Sequence, residues 1–598
     1  MMRLPAALLM LGLAVMTARG QDTHVPLQDL DPDLSISLSG TPGVFGWTFG
    51  AAGWPNGLSF AGGDPAHVGL QWDGLDMDDL ITGRPLFEAV PVALLASRSW
   101  DAWGRVVVDS DSLAGSAPVT RVRYESAGDL QAVRALHVQN RTYGRTGSSP
   151  SRLQTIFGYA GAGASGEYDG SRLRRAREIT ARVAYNQSNW SVWLMDVASR
   201  RSIGAQAGVI PFTGATYESI YQRLGARVAD ESARRRLIRN DLRLGGSMMR
   251  GDWATRAEIT RQSQTLDFEG ESLEVRGWTT RWRADAGASR RWGSSQASVD
   301  GFVWRDGAFG GSAWTDEPAS RGFAGVTGRW TAPSWQVAGG LRQDDDHTWS
   351  MVEGSGTHSL GSLTARAAAA WDARRPSLME VSGFGGASPS AADIPLQRRA
   401  LARIGLGLQA GVWSLDVDLT HRREKDRLVH SLTDVHPVLE SSILAGWQST
   451  SQATVTLGWR NDGRKGLYGL ASGTVLDSPL AAMPGEFAPA RLGLRALLFT
   501  DDLDLDAYVR ARYWGAMDGL RLHTPTGLLV LPSAGAAPAD AGWLVDLVAE
   551  GGVRGATLFV SYENMFSGTT AQIGNLIVPD YPLPRQRMRF GVYWPIDN

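Results

Sequence analysis

Cysteine is absent from the 598-residue chain, and Lys425 and Lys465 are its only lysines. No cysteine excludes a disulfide-stapled scaffold and any thiolate chemistry. A large sheet that closes on itself has no need of such staples. Positive charge is therefore almost entirely arginine, and the net charge of −2 gives no global field that would draw nucleic acid. Beyond the first residues there is no continuous apolar run of the roughly 20 residues that a membrane helix needs. The motifs G-x-S-x-G, H-E-x-x-H and C-x-x-C are missing, and the 9 histidines are scattered. A Ser-His-Asp hydrolase would have to be assembled purely in space. No catalytic residue, cofactor or metal ligand set is expected, and the enzyme reading is the minority one.

Glycine (71) and tryptophan (23) are abundant, while mean hydropathy is only −0.17. A mildly polar chain with local alternation and many tryptophans fits a barrel with aromatic girdles. Met1 to Gly20 read as a secretory signal: Arg3, an apolar run from Leu4 to Met16, then Ala18-Arg19-Gly20 before Gln21. From about Val119 onward, period-two strands recur. In one, Leu503, Leu505, Ala507, Val509, Ala511 and Tyr513 alternate with Asp504, Asp506, Arg510 and Arg512. The last run sets Met588, Phe590, Val592, Trp594 and Ile596 against Arg587, Arg589 and Tyr593. Such strands have one apolar and one polar face. In hydrocarbon every backbone polar group must be paired, so the sheet has to close. The sequence predicts an all-β transmembrane outer-membrane β-barrel of about 20–22 antiparallel strands, counted from strand and turn signals. Residues 1–20 would be the signal peptide, 21–115 a short N-terminal segment and 116–598 the barrel. Leu505, Val509 and Tyr513 should meet lipid, and Asp504, Asp506, Arg510 and Arg512 the lumen.

Several stretches resemble a known family. Phe559-Val560-Ser561-Tyr562-Glu563-Asn564-Met565-Phe566 is similar to the "ENLF" strand end near the C-terminus of TonB-dependent outer-membrane receptors. Tyr581-Pro582-Leu583-Pro584-Arg585 resembles their "YPxPGR" entry into the last strand, and Pro489-Ala490-Arg491-Leu492-Gly493 with Tyr513-Trp514-Gly515 resembles their "PxxRLxLG…YxG" pair. The resemblance implies import of a small solute through a gated barrel in the outer membrane of a Gram-negative-type bacterium. It implies contact with outer-membrane lipid and lipopolysaccharide, and an energy-coupling TonB-type periplasmic partner. It further implies that 21–115 is a shortened plug, with Asp73-Gly74 in a turn. Asp22-Thr23-His24-Val25 resembles the short TonB box.

Leu34 to Gly40 alternates like a short strand, and a short helix or turn is expected between Leu86 and Ala96. Gly161-Ala162-Gly163-Ala164-Ser165-Gly166 fits G-x-G-x-x-G, but no helix pattern follows, so a flexible barrel loop is expected. Asp344-Asp345-Asp346-His347, placed in a long loop, could bind a divalent cation through oxygen ligands, although its spacing matches no known cage. The arginines at 172, 174, 175 and 177 and at 234–236 could meet lipopolysaccharide phosphates or guide anions. Arg510 and Arg512 are candidates to pair with the plug acids Asp76, Asp78 and Asp79. A passive porin-like channel, an outer-membrane barrel enzyme and a structural surface barrel remain as alternatives.

Overall fold

The computed structural model describes residues 23–24 and 34–597, apart from short stretches at 51, 91, 102, 112–116, 145–150, 216–219, 221–225, 311–312, 317–319, 388–393, 434–437, 461–464, 479–481, 501, 534–535, 537, 554 and 573–575. The signal segment, Asp22 and Val25 lie outside the described residues.

Strands from Val119–Ala127 to Arg587–Asp597 pair antiparallel, each with its neighbour, and close into a ring of 22. Closure joins the first strand to the last, with Val592 opposite Tyr124 and Phe590 opposite Ser126. The connections sort by side. At one end lie tight turns such as 251–252, 293–294, 333–334, 361–362 and 411–412; at the other lie long connections such as 205–233, 375–396, 515–541 and 564–586. The barrel's first strand starts, and its last ends, at the tight-turn side, the periplasmic side of such barrels.

Period-two alternation sorts the side chains. Leu194, Leu244, Ile259, Val303, Leu406, Leu419 and Val455 are exposed on the outer surface. Two rows of tryptophan bound them. Near the tight turns Trp292 stacks on Trp330 at 5.7 Å and Trp413 on Trp459 at 5.6 Å, while Trp371 and Trp447, 5.8 Å apart, lie toward the other end. An apolar belt between aromatic girdles is what a bilayer core of about 25 Å asks of a barrel exterior.

The N-terminal segment lies against the inward side chains. It contains the helix Leu34–Leu38, the hairpin Val44–Trp47 with Gly57–Phe60, and a small sheet of Leu70–Trp72, Leu75–Asp76, Leu95–Trp100 and Val106–Ser110. Its Leu58, Trp72, Met77, Ile81 and Phe87 share one core with Leu136, Val138, Ile156, Leu237 and Leu266 of the wall. Phe45, Trp47, Phe49 and Trp54 form a second with Phe487, Trp514 and Tyr581. The segment thus has no core separate from the barrel.

Two expectations are corrected here. Leu34–Leu38 is helical rather than extended. Five residues are too few to separate a period of 2 from one of 3.6, and a helix sets Leu34 and Leu38, both buried, on one face. Between Leu86 and Ala96 two short 3-10 turns, Phe87–Ala89 and Val92–Leu94, form as expected. Gly161 to Ala164 is not loop but the outer end of the strand Ser151–Ala164. Its backbone pairs on both sides, so a poor strand propensity is overridden by the ladder.

Candidate functional site: the lumen between segment and wall

On the strands Arg234–Arg250 and Glu274–Trp292, every second side chain points inward, and several of these are arginine. Arg281 bridges Asp306 of the wall (Nε to Oδ1, 2.7 Å) and Asp78 of the segment (Nη1 to Oδ1, 3.2 Å). Arg283 bridges Asp285 and Asp76, both at 2.8 Å. Arg239 and Arg243 donate to the carbonyl oxygens of Asp78 and Asp73 at 2.5 and 3.0 Å. Gln264 donates to Asp79 at 2.9 Å and accepts from the Leu80 N–H at 3.1 Å, while Arg235 stands 3.8 Å from Asp79. Burial pushes both Asp76 and Asp78 up, but only Asp78 ends above the usual carboxylate range. Beside Asp76, Arg283 and the Gln71 hydrogen bond outweigh burial and hold it below that range.

The Asp73-Gly74 turn is part of this contact. Both residues have positive φ, 47° and 79°, and no atom lies within 4 Å of where a Gly74 Cβ would be, so backbone conformation rather than space calls for the glycine. The Asp73 carboxylate accepts from the Ser110 N–H (2.8 Å) and hydroxyl (2.6 Å), tying the turn to the neighbouring strand.

Glu380, on the short helix Leu378–Ser382 of the 375–396 connection, joins three elements. It accepts from Arg374 (2.6 Å), from His430 of the wall (3.3 Å) and from its own cap at Ser377 N–H (2.6 Å), and His67 of the segment lies 3.8 Å away. Burial would raise its pKa, but Arg374 and the two histidines hold it well below the carboxylate range.

Elsewhere the segment stands off the wall. A cavity of about 160 Å³ lies between its Thr48, Gly50, Ala52, Phe87, Glu88 and Val92 and the outer halves of the strands Leu130–Tyr143, Ser151–Ala164, Leu173–Asn186 and Trp190–Gly204 and of the last strands. The space would hold on the order of ten waters. Its floor is thinly furnished: Ala132, Ala162 and Ala176 sit side by side across three strands, next to Arg201. Opposite them Arg510 pairs with Asp546 (3.0 Å), and Glu563 takes both Arg587 (2.6 Å) and Arg589 (2.9 Å). Arg201 donates to the Glu88 carbonyl oxygen, and Arg512 to Ser39 Oγ at 3.4 Å.

The other sequence-derived candidates fall as follows. Asp506 accepts from Tyr468 (2.6 Å) and Arg495 (3.1 Å), Asp504 is exposed near the tight-turn end, and Val509 and Tyr513 are exposed on the outer surface. Arg510 and Arg512 do not meet Asp76, Asp78 or Asp79. Their strand, Leu503–Trp514, stands across the ring from Glu274–Trp292, whose arginines take those acids. Thr23 and His24 pair antiparallel with Arg98 and Ser97. Asp344, Asp346 and His347 do lie together, in a tight turn and not a long loop, because the strand Trp335–Asp344 runs three residues further than its apolar pattern. The Asp344 carboxylate there accepts the N–H groups of Asp346 and His347 at 3.0 and 2.7 Å, which is the work of a turn cap. Arg239, Arg243, Arg281 and Arg283, and the His67–Glu380–His430 group, were not singled out in the sequence, whereas Arg235 was, in the 234–236 run, and it faces Asp79 of the segment. A count of Arg at alternate positions would have found the former.

A large antiparallel barrel with a belt for lipid and an occupied lumen is the architecture of outer-membrane receptors. Solved structures share it. The chain matches a variant of the ferric enterobactin receptor PfeA of Pseudomonas aeruginosa (12% identity, 98% of both chains, TM-score 0.67). It matches the siderophore receptor PirA of Acinetobacter baumannii (11%, 94% of this chain and 96% of that one, 0.67) and the FrpB iron transporter of Neisseria meningitidis (13%, 94% and 96%, 0.66). At such identity the likeness is one of fold. No family model matches the sequence, and no curated protein does.

The family wording near the C-terminus has a local cause. Asn564 ends the strand Ala556–Glu563 at a positive φ of 49°, and its Nδ2 donates to the Pro584 carbonyl at 2.6 Å. The "ENMF" and "YPLPR" stretches therefore hold each other.

Proposed function

We propose that the protein is an outer-membrane import receptor that takes up a small solute, with residues 21–115 as the gating plug, 116–598 as the barrel and residues 1–20 as the export signal. The observation that carries this reading is the attachment of the segment. Besides the apolar cores it shares with the wall, the segment is tied to one part of the wall by ion pairs through Asp76 and Asp78 and bounded at another by a cavity. Ion pairs and hydrogen bonds can be exchanged for water as a gate moves. PfeA, with which this chain shares its fold, has been seen in complex with enterobactin. A solute of comparable class, taken up from the long-connection side, fits the same architecture. Asp22-Thr23-His24-Val25 is the segment offered to a TonB-type periplasmic partner, and the outward arginines beyond the outer tryptophan row face lipopolysaccharide.

The test is deletion of residues 21–115. In planar bilayers the full chain should conduct little and the deleted barrel should form large, steady channels. Identical conductance would mean that the segment gates nothing, and a passive pore would replace the receptor reading.

A further inference from the structure

The outer surface of the strands Leu173–Asn186, Trp190–Gly204 and Arg234–Arg250 breaks the apolar belt in two complementary ways. Asp196 lies between Met195 and Val197, both buried in the core shared with the segment, so its own side chain points to lipid. Trp190, whose ring lies 5.3 Å from that of Tyr185, marks the tight-turn edge of the belt. The six residues from Trp190 along a tilted strand put Asp196 about 15 Å above that edge, inside a belt about 25 Å tall. Its Oδ1 accepts from Asn240 Nδ2 at 2.6 Å, and its Oδ2 has no partner among the described residues. A carboxylate at that depth is costly unless it is paired or hydrogen-bonded. Four residues further along, at the top of the belt, Arg200 stands directly opposite Arg177 in the ladder. Both are exposed and neither meets a carboxylate among the described residues, whereas Arg236, one strand over, is taken by Asp267 at 2.7 Å. Like charges facing each other across a ladder repel. On the other side of Arg177 its partner is Gly161, and the Tyr159 hydroxyl lies over that glycine, 2.7 Å from where a Cβ would be. One sector of the outer surface thus carries cations without an anion at the top of the belt and, below them, an acceptor short of a donor.

We propose that this face seats one phosphorylated lipid of the outer leaflet that carries N–H or O–H donors just beneath its phosphate, as the amide-linked acyl chains of lipopolysaccharide do. Arg177 and Arg200 take the phosphate oxygens, Tyr159 donates beside them, and Asp196 accepts from an amide or hydroxyl below. A glycerophospholipid offers the phosphate, but its acyl chains are esters and bring no donor to the depth of Asp196. The carboxylate therefore discriminates between the two kinds of lipid. The seat rests on the outer-membrane reading above and not on the gate.

Native mass spectrometry of the full-length protein, delipidated and returned to micelles doped with one lipid at a time, counts what is retained. The natural chain should keep one diphosphoryl lipid A and hold phosphatidylglycerol at least tenfold more weakly. Millimolar inorganic phosphate should not displace the lipid. Arg177→Gln combined with Arg200→Gln should weaken retention of lipid A at least tenfold. Asp196→Leu should weaken lipid A likewise and leave phosphatidylglycerol as it was. Arg423→Gln, whose guanidinium lies over Trp447 elsewhere on the outer surface, should change neither. No lipid A on the natural chain overturns the proposal. So does equal retention of the two lipids, displacement by free phosphate, or a lipid-free dimer, which would give the face to a second copy of the chain. Undiminished retention of lipid A by inserted Asp196→Leu overturns it too. The lipid and phosphate arms use the natural chain alone, so they decide even where a variant fails to insert. Failure here concerns the outer surface and leaves gated import standing, whereas failure of the deletion test leaves the lipid seat standing.

Discussion

Two sectors of one wall treat the same N-terminal segment in opposite ways. Along Arg234–Arg250 and Glu274–Trp292 the inward arginines reach across and take the segment's own acids and carbonyls. Along Leu130–Tyr143, Ser151–Ala164 and the last strands the inward arginines pair within the wall, and small residues leave a gap. Both sectors obey the same alternation, so secondary structure does not distinguish them. What differs is where the partner carboxylate sits: on the segment in the first, on a neighbouring strand in the second. Ion pairs to the segment's acids are made in the first, whereas the second holds the segment by apolar packing on Leu136, Val138 and Ile156 and by hydrogen bonds from Arg201 and Arg512.

The most drastic way to break this comparison is to remove the strand that completes the second sector. Arg587–Asp597 carries Arg587 and Arg589 and pairs with both Ala556–Glu563 and Val119–Ala127. Deleting residues 587–598 leaves two open edges in lipid, each a row of unpaired peptide groups. Assembly should be abolished outright. A truncated protein that still inserts into vesicles and shows heat-modifiable migration would contradict the closure.

Next in size is a contrast between single arginines. Arg281 is buried, and its replacement by glutamine strands Asp306, equally buried, and frees Asp78. Breaking such a pair costs about 3–5 kcal/mol. Arg512→Gln, across the ring, removes the 3.4 Å hydrogen bond to Ser39 among its contacts and should cost less than Arg281→Gln. Urea unfolding of the two variants in vesicles should separate them clearly. Equal losses would show that the two sectors hold the segment equally.

A third test asks whether the wall has one orientation in both sectors. Val509 is exposed beside the inward Arg510, so Val509→Arg should cost about 2–4 kcal/mol where the strand crosses the middle of the bilayer. An arginine at the lumen position Asp504 should cost far less. Like values at both positions would deny the lipid face.

The barrel was legible because its signal is repeated: alternation in strands such as Leu503–Trp514, tight turns, and a closing strand rich in aromatics all say the same thing. The sequence does not carry partner choice. Arg510 and Arg281 sit in similar alternating contexts, yet one meets Asp546 and the other Asp78, because register and position in the ring decide which carboxylate is near. The helix Leu34–Leu38 was missed for want of length. The gap was missed because Gly161 to Gly166 names a flexible loop by composition, while its pairing on both sides made it a strand. Asp73-Gly74 was expected in a turn from the family resemblance, and both residues do take positive φ, but its anchoring to Arg243 was not legible.

The smallest effect sharpens the comparison with protons. At the outer end the segment meets the wall through His67, which faces Glu380 and Arg374 of the 375–396 region, with His430 on the far side of that carboxylate and Asp64 on its own element. Burial, helped by Arg374, lowers the pKa of His67 below its ordinary 6.5, against weaker upward pulls from Asp64 and Glu380. The packed segment therefore holds His67 neutral, and a released one would take up a proton as pH falls through 6.5. Packing is then favoured at high pH and weakened below that value, by at most about 1.4 kcal/mol per pH unit for one group. Glu380 acts in the same direction, but only from the ordinary carboxylate range downward, where a released Glu380 takes up a proton and the packed one, its pKa held down, does not. Of His67 and Glu380, the histidine is the one that titrates between pH 7.5 and 5.5, at about 1 kcal/mol. Hydrogen exchange of the residues around His67 should accelerate several-fold over that interval in the natural chain and stay flat in His67→Gln. If the variant keeps the same pH dependence, His67 is not the group being titrated, and the contact through Glu380 belongs with the permanent attachments of the first sector.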